Sequence, residues 1–347
     1  MKILHFLVTD RLSGAERVHL DILKALKENN EVVYASPDGP IREAVEAEGV
    51  RFLPCNTDSI KEIKRLYSKE RPNIVNACDP RMSFKCAAAG IPFVSHLHAN
   101  CPWMSHRSIL SYALRYAVKR ADAVIAVSDE IADSFVFKKA LGDKLFVLPN
   151  VVDAEKVIEL AKEPCDGEYD LVFVGRLDEV KRPLVFLDVV SRLAERLPGI
   201  RAAIVGDGKL RADAEKRKDE LGLTNVEIMG FDPNPYRIMA RSKINVMTSS
   251  YEGFGLVAVE AAILSVPTLA FPSGGITKIA SETGFVCLDT DEMVKRAEEL
   301  LTDLSLYEKT AERAKSASFA HTDTISYIEK IEQIYELNLR YYGEMKL

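Results

Sequence analysis

Short runs of β-branched and apolar residues, each followed by a longer amphipathic stretch, recur along this chain and start afresh near its middle. In the first half KILHFLV, EVVYAS, VRFLP, PNIVNA, IPFVSHL, ADAVIAVS and KLFVLP read as strands, with helical stretches such as AERVHLDILKALKEN between them. After LPNVVD comes a polar segment, AEKVIELAKEPCDGEY, and the alternation resumes with DLVFVG, IRAAIVG, NVEIMG, KINVMTS, VPTLAF and TGFVC. Parallel strands need a crossover between them, usually a helix, and strands buried on both faces read as nearly continuous apolar runs. The pattern therefore predicts two doubly wound, Rossmann-like α/β domains. The boundary falls between Pro149 and Glu168, giving a first domain over 1–152, a linker over 153–168 and a second domain over 169–320. The tail, 321–347, reads as one long amphipathic helix with no strand to follow.

Composition narrows the functional classes. The 347 residues carry 46 lysines and arginines against 52 acids, a net charge of −6, which argues against a general nucleic-acid binder. The six cysteines are scattered singly with no C-x-x-C pair, which suits a reducing compartment rather than a disulfide or zinc-ribbon scaffold. The start, MKILHFLVTDRLSGAER, lacks the apolar segment and small-residue cleavage site of a signal peptide. No apolar run reaches the ~18 residues of a transmembrane helix. The expectation is a cytoplasmic protein.

Doubly wound domains bind ligands beyond the carboxyl ends of their strands, and two in tandem face a central cleft. The segment after the first strand, TDRLSGAER, offers Gly14 at a helix start but no G-x-G-x-x-G, so a nicotinamide dinucleotide is disfavoured. VGDGK has G-x-G without a third glycine, which reads as a tight turn. After DLVFVG comes GRLDEVKRP, where Arg176 and Lys181 either form a solvated loop neutralised by Asp178 and Glu179 or clamp an anion.

The helix beginning in YEGFGLVAVE poses the sharpest question. It is apolar all round from Leu256 to Leu264 except for Glu260, and burying an unpaired carboxylate costs roughly several kcal/mol. Gly253 and Gly255 let backbone approach a ligand, and a helix N-terminus attracts phosphate. An acid on each side of such a site suits hydroxyls flanking the phosphates, as in a nucleoside diphosphate sugar. Taken singly, Glu260 reads as a buried paired acid and Glu252 as a helix-start acid favoured by the dipole. With Arg176 and Lys181 beside them, the ligand reading is the better one.

EGFGLVAVE is an E-x7-E motif, and with VFVGRLDEVKRP, AAIVGDG, VEIMGF and SGAERV it resembles glycosyltransferase family 4. The matches run in order from Ser13 to about Val286. The resemblance implies a GT-B fold and retaining transfer from a nucleotide sugar, without metal or other cofactor. It implies that Arg176 and Lys181 bind the donor diphosphate and steady the leaving group. It places the backbone amides of Phe254, Gly255 and Leu256 at the phosphates or the transferred sugar. Glu252 would hold that sugar, Glu260 the ribose hydroxyls, and Gly14 would let the first-domain loop close over the diphosphate. The final helix would cross back to the first domain.

The resemblance also puts His98 of VSHLHAN where the family has an active-site histidine. His96 and His98 would point to one face of a strand, but no third metal ligand can be assigned, so no metal site is expected. Three positions depart from the family pattern: Ser13 before Gly14, Val151 in the PNVVD hinge, and Lys278 where an acid is common. Asp289-x-Asp291 mimics a metal motif of another glycosyltransferase class but sits where a helix cap belongs.

In HRSILSYALRYAVKR, Ile109, Leu110, Ala113, Leu114, Ala117 and Val118 form a stripe expected to pack on the sheet, leaving Arg107, Arg115, Lys119 and Arg120 in water. The sharper alternative is a surface for anionic membrane or a lipid diphosphate at the inner face of the cell membrane. The expected function is retaining hexosyl transfer from a nucleoside diphosphate sugar, UDP-linked by family frequency, to a glycan or lipid-linked acceptor. An epimerase or hydrolase of the same fold, or an inactive nucleotide-sugar-binding partner, are the alternatives.

Overall fold

A computed structural model describes residues 1–344, with side chains through Leu337. The chain divides into two compact units: residues 1–150 together with the segment from Thr324 onward, and residues 151–323.

The first unit is built on seven strands: β1 (Lys2–Phe6), β2 (Glu31–Ser36), β3 (Arg51–Pro54), β4 (Ile74–Cys78), β5 (Val94–Leu97), β6 (Ala123–Ala126) and β7 (Leu145–Val147). All pair in parallel in the order β3-β2-β1-β4-β5-β6-β7. The winding direction reverses between β1 and β4, which leaves a crevice at their carboxyl ends. β4 is buried along its whole length, as its unbroken run Ile74–Cys78 requires of an interior parallel strand.

The second unit carries β8 (Tyr169–Val174), β9 (Ala202–Val205), β10 (Val226–Gly230), β11 (Ser242–Met247), β12 (Thr268–Ala270) and β13 (Gly284–Val286). Their order, β10-β9-β8-β11-β12-β13, is again parallel and reverses between β8 and β11. Leu171, Phe173, Ile204, Ile244, Val246 and Leu269 from the sheet pack against Phe186, Leu187 and Val190 of the Pro183–Arg196 helix. Pro183 opens that helix at a position where its missing N–H costs nothing.

Three expectations change. The stretch 153–168, read as a linker, contains the Ala154–Ala161 helix, capped by Asp153 and burying Val157. An aspartate cap and one apolar anchor were enough to fold a segment whose composition is polar. In the Ile109–Arg120 helix the buried side is Ser111, Leu114, Ala117 and Val118, whereas Ile109 is 88% and Leu110 53% exposed. Ser111 in the same first turn is fully buried, so the covered face runs along Ser111, Leu114, Ala117 and Val118, with Ile109 nearly opposite it and Leu110 at its margin. The tail helix begins at Thr324, and Phe319–His321 form a 3-10 turn whose His321 carbonyl accepts from Val152 within the second unit.

Asp289 is a helix cap, accepting from the Glu292 amide, and Asp291 pairs with Arg192. All six cysteines are free thiols. Among the described residues, no helix is long and apolar enough to cross a membrane.

Candidate active site

The expected donor-binding residues of the second unit lie on loops leaving β8 and β11, the two strands that flank its switch point. Arg176 and Lys181 follow β8, and Glu252 to Leu256 follow β11. The loops are tied together by backbone. The Ser250 amide donates to the Val180 carbonyl at 2.7 Å, and the Thr248 hydroxyl donates to the neighbouring carbonyls of Lys181 and Arg182, 2.8 and 2.9 Å away. Asp178 accepts from the amides of Val180 and Lys181 at 3.1 and 3.0 Å, which turns the chain so that Lys181 faces back toward β11. The Arg176 guanidinium, its side chain 59% exposed, lies 3.3 Å from the Asp178 carboxylate.

The glycines of VGDGK turn out to brace this loop. A Cβ on Gly206 would fall 1.8 Å from the Gly175 carbonyl oxygen, and one on Gly208 would fall 2.4 Å from that of Leu177. Only glycine lets the two backbones come so close. The Leu177 amide donates to the Asp207 carbonyl, and the Leu210 amide to the Leu177 carbonyl. G-x-G therefore positions the backbone that carries Arg176.

Lys181 is paired with Glu252, and the Ser249 hydroxyl donates to the same carboxylate oxygen at 2.8 Å. The lysine side chain is 20% and the glutamate 13% exposed, so both charges are largely removed from water and hold one another. A diphosphate reaching Lys181 competes with Glu252 for it. A sugar hydroxyl reaching Glu252 finds a carboxylate already oriented.

Glu252 forms a bridge with Gly274: its amide donates to the Ser273 carbonyl, and its carbonyl accepts from Gly275. The chain then enters the Leu256–Ile263 helix through Gly255 at φ +96°, a left-handed conformation natural to glycine. Phe254 is buried. The amides of Leu256 and the next residues open the helix, lack partners four residues back, and lie at its positive end. Glu260 is 7% exposed and accepts from the Tyr236 hydroxyl at 2.9 Å. That bond answers how an apolar helix tolerates a carboxylate, and Tyr236 was not visible as its partner in the sequence.

Gly14 and His98 belong to the first unit. Gly14 is the exposed first residue of the Gly14–Leu26 helix, preceded by Ser13, which donates to Glu16. His98 follows β5 and its Nε2 lies 3.0 Å from His19 Nε2. His19 Nδ1 lies 2.9 Å from His5 Nδ1, and His5 Nε2 lies 3.0 Å from the Tyr335 hydroxyl. Burial pushes all four clustered histidines, His5, His19, His96 and His98, far down from the ordinary imidazole value, His5 and His98 to about 3, so each is neutral. The sequence showed His96 and His98 as neighbours but gave no sign that His5, on another strand, and His19, on a helix, join them.

Residues 12–156 match the family Glycosyltransferase Family 4, and residues 156–317 match Glycosyl transferases group 1. The chain is 27% identical over 251 residues to the α-D-kanosaminyltransferase of Streptomyces kanamyceticus, an alignment covering 65% of each. It is 29% identical over 177 residues to an uncharacterised glycosyltransferase of Methanocaldococcus jannaschii, covering 48% of this chain and 43% of that one. The chain thus spans less than two thirds of the length of these relatives.

Among solved structures, Anabaena HepE in complex with UDP-glucose superposes with a TM-score of 0.83 at 19% identity, covering 96% of this chain and 98% of that one. WaaG, a glycosyltransferase involved in lipopolysaccharide biosynthesis, superposes with a TM-score of 0.76 at 16% identity over 96% and 99% of the two chains. Such likenesses establish the two-domain GT-B fold. With family matches that adjoin and together run from residue 12 to residue 317, this chain belongs to the family 4 type of glycosyltransferase.

Proposed function

We propose that this chain transfers a hexosyl group, with retention, from a UDP-sugar to a hydroxyl of a glycan or lipid-linked acceptor. The observation that carries the reading is the convergence of Lys181, Glu252 and a glycine-led helix N-terminus at the switch point of β8 and β11, with Arg176 on the same loop as Lys181. A departing diphosphate gains negative charge, and preorganised donors aimed at that charge lower the barrier. Arg176, Lys181 and the amides opening the Leu256–Ile263 helix supply such donors, so no divalent ion is required at the leaving group. Glu252 orients the transferred sugar, and Glu260 accepts from the ribose. His98 acts beside the transferred sugar, and Gly14 leaves room for the diphosphate. The complexes of HepE with UDP and with UDP-glucose support the uridine donor, and retention rests on the family.

The exposed Ile109, Leu110 and Tyr112, beside Arg107, Arg115, Lys119 and Arg120, favour acceptor docking at the cytoplasmic face of an anionic membrane. Each basic residue near such a surface contributes about 1 kcal/mol. Co-sedimentation with anionic vesicles at low salt tests this, and absence of binding by the unaltered protein refutes it.

The decisive experiment incubates the purified protein with radiolabelled nucleotide sugars and lipid or glycan acceptors in excess EDTA. The product's anomeric configuration is read from its proton coupling. Transfer with retention is expected. Activity restored only by magnesium or manganese refutes the metal-free leaving group, an inverted product refutes retention, and free sugar alone or binding alone refutes transfer.

A further inference from the structure

The loop that carries Glu252 meets a second helix start. The Ile276–Thr283 helix begins directly after Gly274 and Gly275, the residues whose backbone bridges Glu252. The fit is tight. A Cβ on Gly275 would fall 2.1 Å from the Gly253 carbonyl oxygen, and one on Gly255 would fall 2.4 Å from Ile276 Cδ1. The Leu256–Ile263 and Ile276–Thr283 helices therefore both open against this loop, each with its positive end there. The first turn of the Ile276–Thr283 helix holds no acid; it holds Lys278. A cation at the positive end of a helix works against that helix, so local stability gives no reason for this residue. Helical side chains lean toward the N-terminus and cover the turn before their own Cα, which carries Lys278 back toward Gly274 and Gly275.

Charge balance separates Lys278 from the other cations beside these loops. Arg176 lies beside Asp178, and Lys181 is paired with Glu252. Lys278 is exposed, and its ammonium has no ion pair or hydrogen bond among the described residues, not even with Glu282 one turn on. Its charge is still felt nearby. Burial pushes His321 below the ordinary imidazole value; the charge of Glu282 opposes that shift and the charge of Lys278 adds to it. The His321 ring stands edge-on to that of Phe254, with centroids 5.3 Å apart. Lys278 is thus an unmatched cation on the Phe254 flank of the loop.

We propose that Lys278 receives a carboxylate on the transferred sugar, so that the donor class is a UDP-hexuronate and not a neutral UDP-hexose. The inference deepens the donor reading and rests on it. The diphosphate already has Arg176, Lys181 and helix amides to meet it, whereas a neutral sugar offers Lys278 no opposite charge. A hexuronate carries its carboxylate outside the ring, at the margin of a sugar whose hydroxyls face Glu252. Glu252 and the diphosphate both repel a further anion, so that carboxylate needs a cation of its own, and Lys278 supplies it. A bond between two ions is also stronger than one from the same ammonium to a neutral hydroxyl, which turns the pairing into selectivity.

The test is calorimetry on the full chain with UDP, UDP-glucose, UDP-glucuronate and UDP-galacturonate as probes. At least one uronate should bind about tenfold or more tighter than UDP-glucose, the scale of one charge-assisted hydrogen bond. Lys278→Ala should erase that advantage, Lys278→Glu should invert it, and Lys278→Arg should keep most of it. Bare UDP should be nearly unchanged in all three, which separates the sugar carboxylate from the diphosphate as the anion. Folding is not at stake, because alanine removes and glutamate reverses a charge that the helix disfavours, and melting temperatures check this. A neutral sugar preferred by the unaltered protein, or a uronate preference that survives Lys278→Glu, overturns the inference. Equal losses of UDP and UDP-uronate in Lys278→Ala overturn it too and give Lys278 to the diphosphate. If the unaltered protein fails to bind UDP at all, the donor reading falls and takes this inference with it. UDP binding without a uronate preference overturns the inference alone.

Discussion

Lys181 and Glu252 are bonded to each other, so removing each should have opposite effects on bare UDP. Lys181→Ala deletes a charged donor to the diphosphate, a bond of roughly 1.5–3 kcal/mol. At about 1.4 kcal/mol per factor of ten, that weakens UDP by about ten- to a hundredfold. It also strands the Glu252 carboxylate with the Ser249 hydroxyl as its remaining side-chain donor. Breaking a fully buried pair costs about 3–5 kcal/mol, and the 20% and 13% exposure left here reduces that to roughly 1–3 kcal/mol. Glu252→Gln removes the competitor for Lys181 and a like charge near the diphosphate, so UDP affinity should hold or rise while transfer falls steeply. Calorimetry with UDP, urea unfolding and transfer rates on both single variants and the double variant make the measurement. The double variant should regain part of the stability lost by Lys181→Ala and none of its affinity. Loss of UDP affinity in Glu252→Gln equal to that in Lys181→Ala would refute the division of labour between diphosphate and sugar.

Glu260→Gln should weaken UDP itself, whereas Tyr236→Phe, which removes the 2.9 Å bond to Glu260, should chiefly lower stability, by about 1–2 kcal/mol. A Gln variant with normal UDP affinity and reduced melting temperature would make Glu260 purely structural. Gly255→Ala must place a Cβ 2.4 Å from Ile276 Cδ1 at φ +96°, so a loss of about 2–4 kcal/mol in urea unfolding is expected, with Ile276→Ala recovering only the steric share. Glu70 is buried and held below the ordinary carboxyl value of 4.5, first by its hydrogen bond from Lys2 and then by Arg51. A depressed carboxyl stabilises the fold above its unfolded value and loses that contribution as pH falls through the folded one. Glu70→Gln should therefore be less stable than the unaltered protein at pH 7, with the gap closing below about pH 4.5 in urea midpoints; a constant gap would exclude the ionic contribution.

All thirteen strands of the described residues coincide with runs picked out by their apolar, β-branched character. The interior ones do so because a parallel strand buried on both faces has no freedom to look like anything else. Edge strands such as β3, β7 and β10 keep enough apolar residues to follow the same pattern. The place of the candidate site in the second unit was legible for a related reason. Arg176, Lys181, Gly255 and Glu252 sit within a few residues of strand ends, so local pattern and spatial position nearly coincide. What sequence could not show was pairing across elements: Tyr236 with Glu260, Lys181 with Glu252, and Gly206 against Gly175. The histidine cluster draws on β1, a helix, and β5 with the residues just after it, whose adjacency no local window reveals. Ile109 and Leu110 were misplaced because the covered face includes the polar Ser111 with Leu114 and Val118, and a pattern of apolar residues alone set the face at the wrong angle.

The tail helix gives the molecule an unusual order of assembly. Tyr335, contributed some 330 positions downstream, bonds His5 of β1 and Asn76 of β4 in the interior of the first unit. β1 to β7 precede the whole second unit in the chain, yet the unit they form stays incomplete until the Thr324 helix beyond residue 323 has been made. The second unit, 151–323, is contiguous and can close while the first still waits. Domains usually mature from the N-terminus during synthesis. Here the sheet that precedes the second unit in the chain is completed after it, when Tyr335 reaches His5 and Asn76.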